Sequence, residues 1–408
     1  MEQTIIYLGF IGIILFIGIV CTAIARKLKL PSFMFLLIVG VILGNITIKG
    51  KPLIYFDPLF LASLATLTLA LVVFEASSKF KLKEFDALSW QALKLTLIFF
   101  TFLLIFLPIA SKFIFPNLSW PLAILFSATM IGSTPPLFFV IKKIRVFRLL
   151  EVEAILNTPL GIVIPFLIAD FLAKAKEVTF LGVSTQLTSL VQQYIVAIGV
   201  GMLLGIIIFK LMQKIYHYRV VSQLTILTAA ILTYVIAELF EGSGVLAVTT
   251  MGLFFGNVYI THKRKLLEFS ETLSYILEII VFIMIGFTIK ISFTPAFIAR
   301  SLLLFGIFIL IRYIVVNISF RKGFTELEKI FISLNAPKGI AVAALVFSLA
   351  LKIAAVPDLN LVLDLILVTL FYSVILSTIV VRLSKYFIKV EVTEEEQIKE
   401  PKPKKKKR

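Results

Sequence analysis

Charge is scarce along this sequence. Only 15% of its 408 residues are Asp, Glu, Lys or Arg, against about a quarter in a soluble domain. Apolar residues make up 60% and the mean hydropathy is +1.06. A water-soluble fold could not hide that much apolar surface, whereas a bilayer accepts it. Cysteine is limited to Cys21, inside an apolar run. That excludes a disulfide framework and a cysteine-based metal site. The two histidines, His217 and His262, lie in basic loops and form no metal-ligand pair. No His/Asp/Glu cluster with metal spacing and no Ser-His-Asp or Cys-His set falls at one membrane depth, so the chain reads as a non-enzyme that needs no cofactor. Acidic residues are scarcer than basic ones, 23 against 40, for a net charge of +17. The basic residues sit in short loops and in the tail, which points to a lipid bilayer and not to nucleic acid.

What is abundant is apolar sequence in lengths that span. A crossing helix needs about 20 mostly apolar residues. Thirteen such segments are expected, at 4–25, 31–48, 58–78, 88–113, 119–141, 149–173, 186–211, 219–240, 243–260, 266–289, 295–319, 327–352 and 359–388. No basic residue precedes the first of these, and no small-residue cleavage site follows it. It therefore reads as a helix and not as a signal peptide. The loops after odd-numbered segments are rich in lysine and arginine, as in Lys79, Lys81 and Lys83, in Lys142, Lys143, Arg145 and Arg148, and in Lys263, Arg264 and Lys265. The even loops are poorer. This asymmetry places the odd loops in the cytoplasm, the N-terminus outside and the C-terminus inside a cell membrane. Residues 1–388 form one transmembrane domain. Residues 389–408 form a charged tail, expected to be disordered and cytoplasmic.

Thirteen helices fit two six-helix repeats with one helix between them, the second inverted in the membrane. Segments 5 and 12 are each interrupted near the middle, and paired interruptions at corresponding positions point to a transport site. Segment 5 contains Ser133-Thr134-Pro135-Pro136, where two prolines remove two backbone donors and push Thr134 out of helical geometry. Segment 12 contains Asn335-Ala336-Pro337-Lys338-Gly339. Carbonyls freed inside a membrane must be satisfied by protein, water or an ion. Charges within the runs are few: Glu75, Glu153 and Lys338 near helix ends, and Glu278 and Arg312 deeper, where each calls for a partner.

These motifs together resemble the monovalent cation:proton antiporter superfamily, which includes the sodium/proton exchangers. Leu30-Pro31 with Val39–Gly44 resembles its second-helix signature, and Phe74-Glu75-Ala76 its Phe-Glu-Ala-Gly motif. Ser133-Thr134-Pro135-Pro136 stands where the family has Thr-Asp-Pro, and Glu151–Gly161 where it has a Glu followed by Asn-Asp. Gly242–Ala247 with Gly252–Gly256 resembles the ninth-helix pattern, and Ala336-Pro337-Lys338-Gly339 the Pro-Arg-Gly motif. The resemblance implies an all-α polytopic fold with discontinuous crossing helices and a homodimer. It also implies exchange of Na+, K+ or Li+ for protons by an elevator-type movement of a core bundle.

The departures from the family pattern are specific. Its principal ion-binding aspartate aligns with Thr158, and the aspartate of Thr-Asp-Pro aligns with Pro135. The chain is thus a divergent member lacking both core aspartates. The resemblance assigns ion binding to Thr134, Asn157, Thr158 and Glu75, and helix breaking to Pro135, Pro136, Pro337 and Gly339. It assigns a buried ion pair to Glu153 and Lys338. Neither Thr158 nor Asn157 titrates, so proton coupling needs another carboxylate, Glu75 or Glu153. The alternatives are a transporter with altered or absent proton coupling and a non-transporting regulatory homologue.

Overall fold

The computed structural model describes residues 2–28, 32–48, 51–52, 56–81, 86–133, 145–174, 180–215, 219–258, 263–288, 294–339, 342, 345–346, 349 and 359–388. The charged tail, and with it the expected disorder of 389–408, lies outside them. The described helices are α1 (Glu2–Leu28), α2 (Ser32–Asn45), α3 (Pro58–Ser78), α4 (Ala87–Ile114), α5 (Trp120–Thr129), α6 (Arg145–Lys174) and α7 (Phe180–Ile215), followed by α8 (Arg219–Leu239), α9 (Gly244–Asn257), α10 (Lys263–Thr288), α11 (Pro295–Ser319), α12 (Glu326–Leu334), α13 (Leu359–Arg382) and the single turn α14 (Ser384–Phe387). A helix falls in each of the thirteen expected segments. Strand pairing among the described residues is confined to β1 (Thr47–Ile48) against β2 (Lys51–Pro52), antiparallel. Seven helices, α1, α3, α4, α6, α7, α11 and α13, are long and apolar enough to cross a membrane.

The helix starts follow local chemistry. Asp57 accepts from the Leu59 amide at 2.8 Å, with Pro58 in the first position of α3, where its missing donor is no loss. Thr325 and Glu328 form a reciprocal capping box at the start of α12. Asp86 caps α4, accepting from the Ser89 amide at 2.8 Å and its hydroxyl at 2.9 Å. Those two hydrogen bonds hold the Asp86 carboxyl below the usual carboxylate range, and Arg148 at 2.7 Å adds to the pull.

Packing separates the helices into two bodies. One comprises α1, α2, α3, α7, α8, α9 and α10; the other comprises α4, α5, α6, α11, α12 and α13. The seam between them runs chiefly along α6, which meets α3 and α9. Lipid tails are as apolar as leucine, so helices in a membrane associate through close packing, and small residues let backbones approach. Gly40 of α2 and Gly286 of α10 do this: a Cβ on Gly286 would stand 2.4 Å from the Gly40 carbonyl carbon. In the second body Gly161 of α6 lies against the backbone of Gly132, just past α5.

Candidate functional site

The second body is built around two helices that stop short. Helix α5 ends at Thr129, and its last turn tightens, with the Met130 amide donating to Ser127 and that of Ile131 to Ala128. Helix α12 ends at Leu334. Residues 335–339 are not helical, and helical conformation returns at Val342, Leu345, Val346 and Leu349. Pro337 accounts for the stop, having no amide hydrogen and excluding its predecessor from the helical region. The break is held by side chains. Asn335 donates to the Phe331 carbonyl at 2.9 Å and accepts from Ser377 at 2.9 Å, while the Lys338 amide donates to Ser373 at 3.0 Å.

A helix that stops inside a membrane leaves carbonyls without partners and the negative end of its dipole exposed. Here a cation meets each end. The Lys338 ammonium donates to the carbonyls of Met130 and Gly132, the latter at 2.9 Å, closing the end of α5. It also lies 4.7 Å from the centre of the Phe308 ring. Arg312, on α11, reaches the carbonyls of Ile332 and Asn335 at the end of α12, both at 3.4 Å. Its face lies 5.0 Å from the centre of the Phe99 ring.

Arg312 is also the partner of Glu153. Its two terminal nitrogens donate to the two carboxylate oxygens, each at 2.9 Å, and both side chains are fully buried. This corrects the expected Glu153–Lys338 pair. The guanidinium offers a planar fork that matches both oxygens, which a single ammonium cannot do. Lys338 is left to serve carbonyls. The proline motif made Lys338 conspicuous in the sequence. Arg312 showed only as a lone charge within an apolar helix, and nothing local named its partner 159 positions away.

Asn157 sits one turn beyond Glu153 on α6. Its amide nitrogen donates to Glu153 at 3.2 Å and to the Ser133 hydroxyl at 3.1 Å. Its buried carbonyl oxygen has no hydrogen-bond partner among the described residues. Thr158 donates to its own helix at Ala154 (2.6 Å) and stands 3.4 Å from the Ser133 carbonyl. Asn157, Thr158 and Glu153 are thus brought together with Lys338 and the end of α5. Thr134, Pro135 and Pro136 lie outside the described residues. Glu75 is elsewhere, on α3 in the first body, paired with Lys79 at 2.7 Å.

The charges at this centre are two cations and one carboxylate, and both oxygens of that carboxylate are occupied. Glu153 is therefore a brace and not a free ligand. Asn157, Thr158 and Ser133 offer neutral oxygens and cannot exchange a proton near neutral pH. Among the described residues, a free carboxylate for an ion at this centre would have to come from outside it. Helix α3, which carries Glu75, packs against α6.

Comparison with known proteins places these features. The profile of the family described as sodium/hydrogen exchanger, transmembrane, matches residues 12–384. The chain is 26% identical over 373 residues to a Na(+)/H(+) antiporter of Methanocaldococcus jannaschii, covering 85% of this chain and 84% of the relative. It is 24% identical over 394 residues to a K(+)/H(+) antiporter of Alkalimonas amylolytica, covering 94% of this chain and 67% of the relative. The structure of a sodium proton antiporter from Methanocaldococcus jannaschii superposes with a TM-score of 0.76 at 23% identity, over 95% of this chain and 99% of that one. That last likeness is one of fold.

Proposed function

Because the chain belongs to the sodium/hydrogen exchanger transmembrane family, we propose that it exchanges a monovalent cation, sodium or potassium, for protons across the cell membrane. The relatives named above divide between those two cations. The observation that carries the reading is the meeting of two interrupted helices at Lys338 and Arg312, in the body that α6 sets against α3 and α9. A narrow seam between two separately packed bodies suits an elevator-type movement, with the α4–α6 and α11–α13 body sliding past a homodimeric scaffold. Glu75 lies on α3, which packs against α6, and serves as a carboxylate for the moving centre, with Asn157 and Thr158 as neutral oxygen ligands. The odd loops, including Asp86 and Arg148, face the cytoplasm.

The test is cation-driven relaxation of an imposed pH gradient in proteoliposomes, with sodium, potassium and lithium tried separately against empty liposomes. A response to at least one cation is expected. Glu75→Gln is expected to lower it about tenfold or more, the loss of one charged hydrogen-bonding ligand, with the elution profile unchanged. Full activity in that variant removes Glu75 from the pathway. Silence toward all three cations in the unmodified chain favours the non-transporting reading. That reading draws support from the locked carboxylate of Glu153.

Thr158→Asp supplies the missing centre with a negative charge close to two cations. It is expected to raise the apparent cation affinity in the same assay. Unchanged half-saturation would show that position 158 does not face the cargo.

A further inference from the structure

The carboxylate that the core lacks has a second source. Helix α10 carries Ser270, Ser274 and Glu278 at intervals of four residues, which stacks them on one face. All three are buried, Glu278 to within 8% of full exclusion. The hydroxyls of Ser270 and Ser274 have no hydrogen-bond partner among the described residues. Buried hydroxyls in membrane helices ordinarily bond back to the preceding turn, as Ser111, Ser127, Thr249 and Thr378 do here. Two neighbouring ones that do not are oxygens held open for something else.

The surroundings say what that is. Glu278 lies within electrostatic reach of Glu75 and Lys79 on α3 and of Glu271 on its own helix. Lys79 is bound to Glu75 at 2.7 Å and approaches Glu271 at 3.9 Å. Glu278 has no ion pair within 4.0 Å among the described residues. Lys79 thus interacts with three carboxylates, Glu75, Glu271 and Glu278, which leaves room for added positive charge. Side-chain exposure falls from 64% at Glu271 through 46% at Lys79 to 14% at Glu75, and Glu278 is deepest. The cluster runs from exposed Glu271 to buried Glu278, with Ser270 and Ser274 at successive steps of about 6 Å along α10. Its exposed end lies on the side of the Lys79 loop, which the charge asymmetry assigns to the cytoplasm.

We propose that Glu278 and Ser274 form a monovalent-cation site on α10, approached past Ser270, where cation and proton compete before passing to Glu75 and the seam. This rests on the exchange reading given above. The groups facing Glu278 are Glu75 and Lys79 from α3 and Glu271 from α10. Sodium or potassium would take a carboxylate oxygen of Glu278 and the Ser274 hydroxyl, one turn away, as hard ligands, with Ser270 a further turn out on the approach, and a proton would take the carboxylate alone.

The experiment uses the full chain and two readouts. The first is exchange in proteoliposomes; the second is equilibrium binding of thallium, a stand-in for monovalent cations, to purified protein in detergent. Glu278→Gln is expected to lower exchange about tenfold and to weaken thallium binding by a similar factor. Glu278→Asp is expected to recover part of both, and Ser274→Ala to weaken binding less. Unfolding temperature in each variant monitors folding. Wild-type exchange and binding in Glu278→Gln overturn the site while leaving the exchange reading standing. If the unmodified chain exchanges nothing, the exchange reading falls and thallium binding alone decides. Binding lost in Glu278→Gln then supports the site, whereas binding retained there, or absent from the unmodified chain, overturns it.

Discussion

Replacing Arg312 with leucine is expected to destabilise the protein by about 3–5 kcal/mol, the cost of breaking a buried ion pair from one side. The loss arises because Glu153, 1% exposed, loses its ion-pair partner and both of its strongest hydrogen bonds. The carbonyls of Ile332 and Asn335 lose their cap as well. Arg312→Lys is not conservative here, because one ammonium cannot serve two carboxylate oxygens and two carbonyls at once. The double variant Glu153→Leu/Arg312→Leu removes both members of the pair and is expected to be more stable than Arg312→Leu alone, since neither is left without the other. Thermal unfolding in detergent for the four proteins of this cycle gives the coupling. Simple additivity would mean that the two side chains do not depend on each other.

Gly161→Ala is the second variant with a large expected effect. The added Cβ would stand 2.4 Å from the Cα of Gly132 and 2.5 Å from its amide nitrogen. Both are backbone atoms beside the carbonyl that Lys338 caps, so neither can move aside as a side-chain tip would. Overpacking a tight core costs about 1–3 kcal/mol and sometimes more, and this contact belongs at the upper end. The reverse substitution is the control. A Cβ on Gly132 meets its nearest atom, the Cα of Gly161, only at 3.5 Å, an ordinary contact. Gly132→Ala is therefore expected to fold and exchange like the unmodified chain, while Gly161→Ala loses both stability and exchange. Equal tolerance of the two alanines would mean that α6 and the end of α5 are not in this contact.

How much of this was legible beforehand depended on the range of each interaction. Seven of the thirteen expected spans are long and apolar enough among the described residues, and these were plain because twenty apolar residues in a row have few other uses. The stop of α12 was plain because proline acts on its own backbone, whereas α5 ends at Thr129, before the Pro135-Pro136 pair, which lies outside the described residues. The Glu75–Lys79 pair, one turn apart at the end of α3, was not drawn from the sequence, although its four-residue spacing stands there. The braces were not legible. Lys338 serves main-chain carbonyls, which every residue possesses and no sequence marks. Glu153 takes its partner from a helix far along the chain, and the family resemblance suggested the wrong cation. Glu278 stood out as deep charge, but its value lies in two serines at four-residue spacing whose hydroxyls bond to nothing described. That pattern becomes visible only when hydrogen bonds are traced.

The surplus of positive charge at the helix ends has one more consequence, for leakage. An exchanger is useful only if neither ion crosses without the other, since slippage dissipates the gradient it trades on. A lone cation within about 6 Å of Lys338 would meet a repulsion of about 3 kcal/mol at an effective dielectric constant of about 20. That is roughly a hundredfold penalty on passage. A cation held by a carboxylate on α3, which packs against α6, is largely relieved of it. Fixed ammonium and guanidinium groups would in that way insulate the membrane while the machine idles, a task for which a neutral centre would be poorly suited.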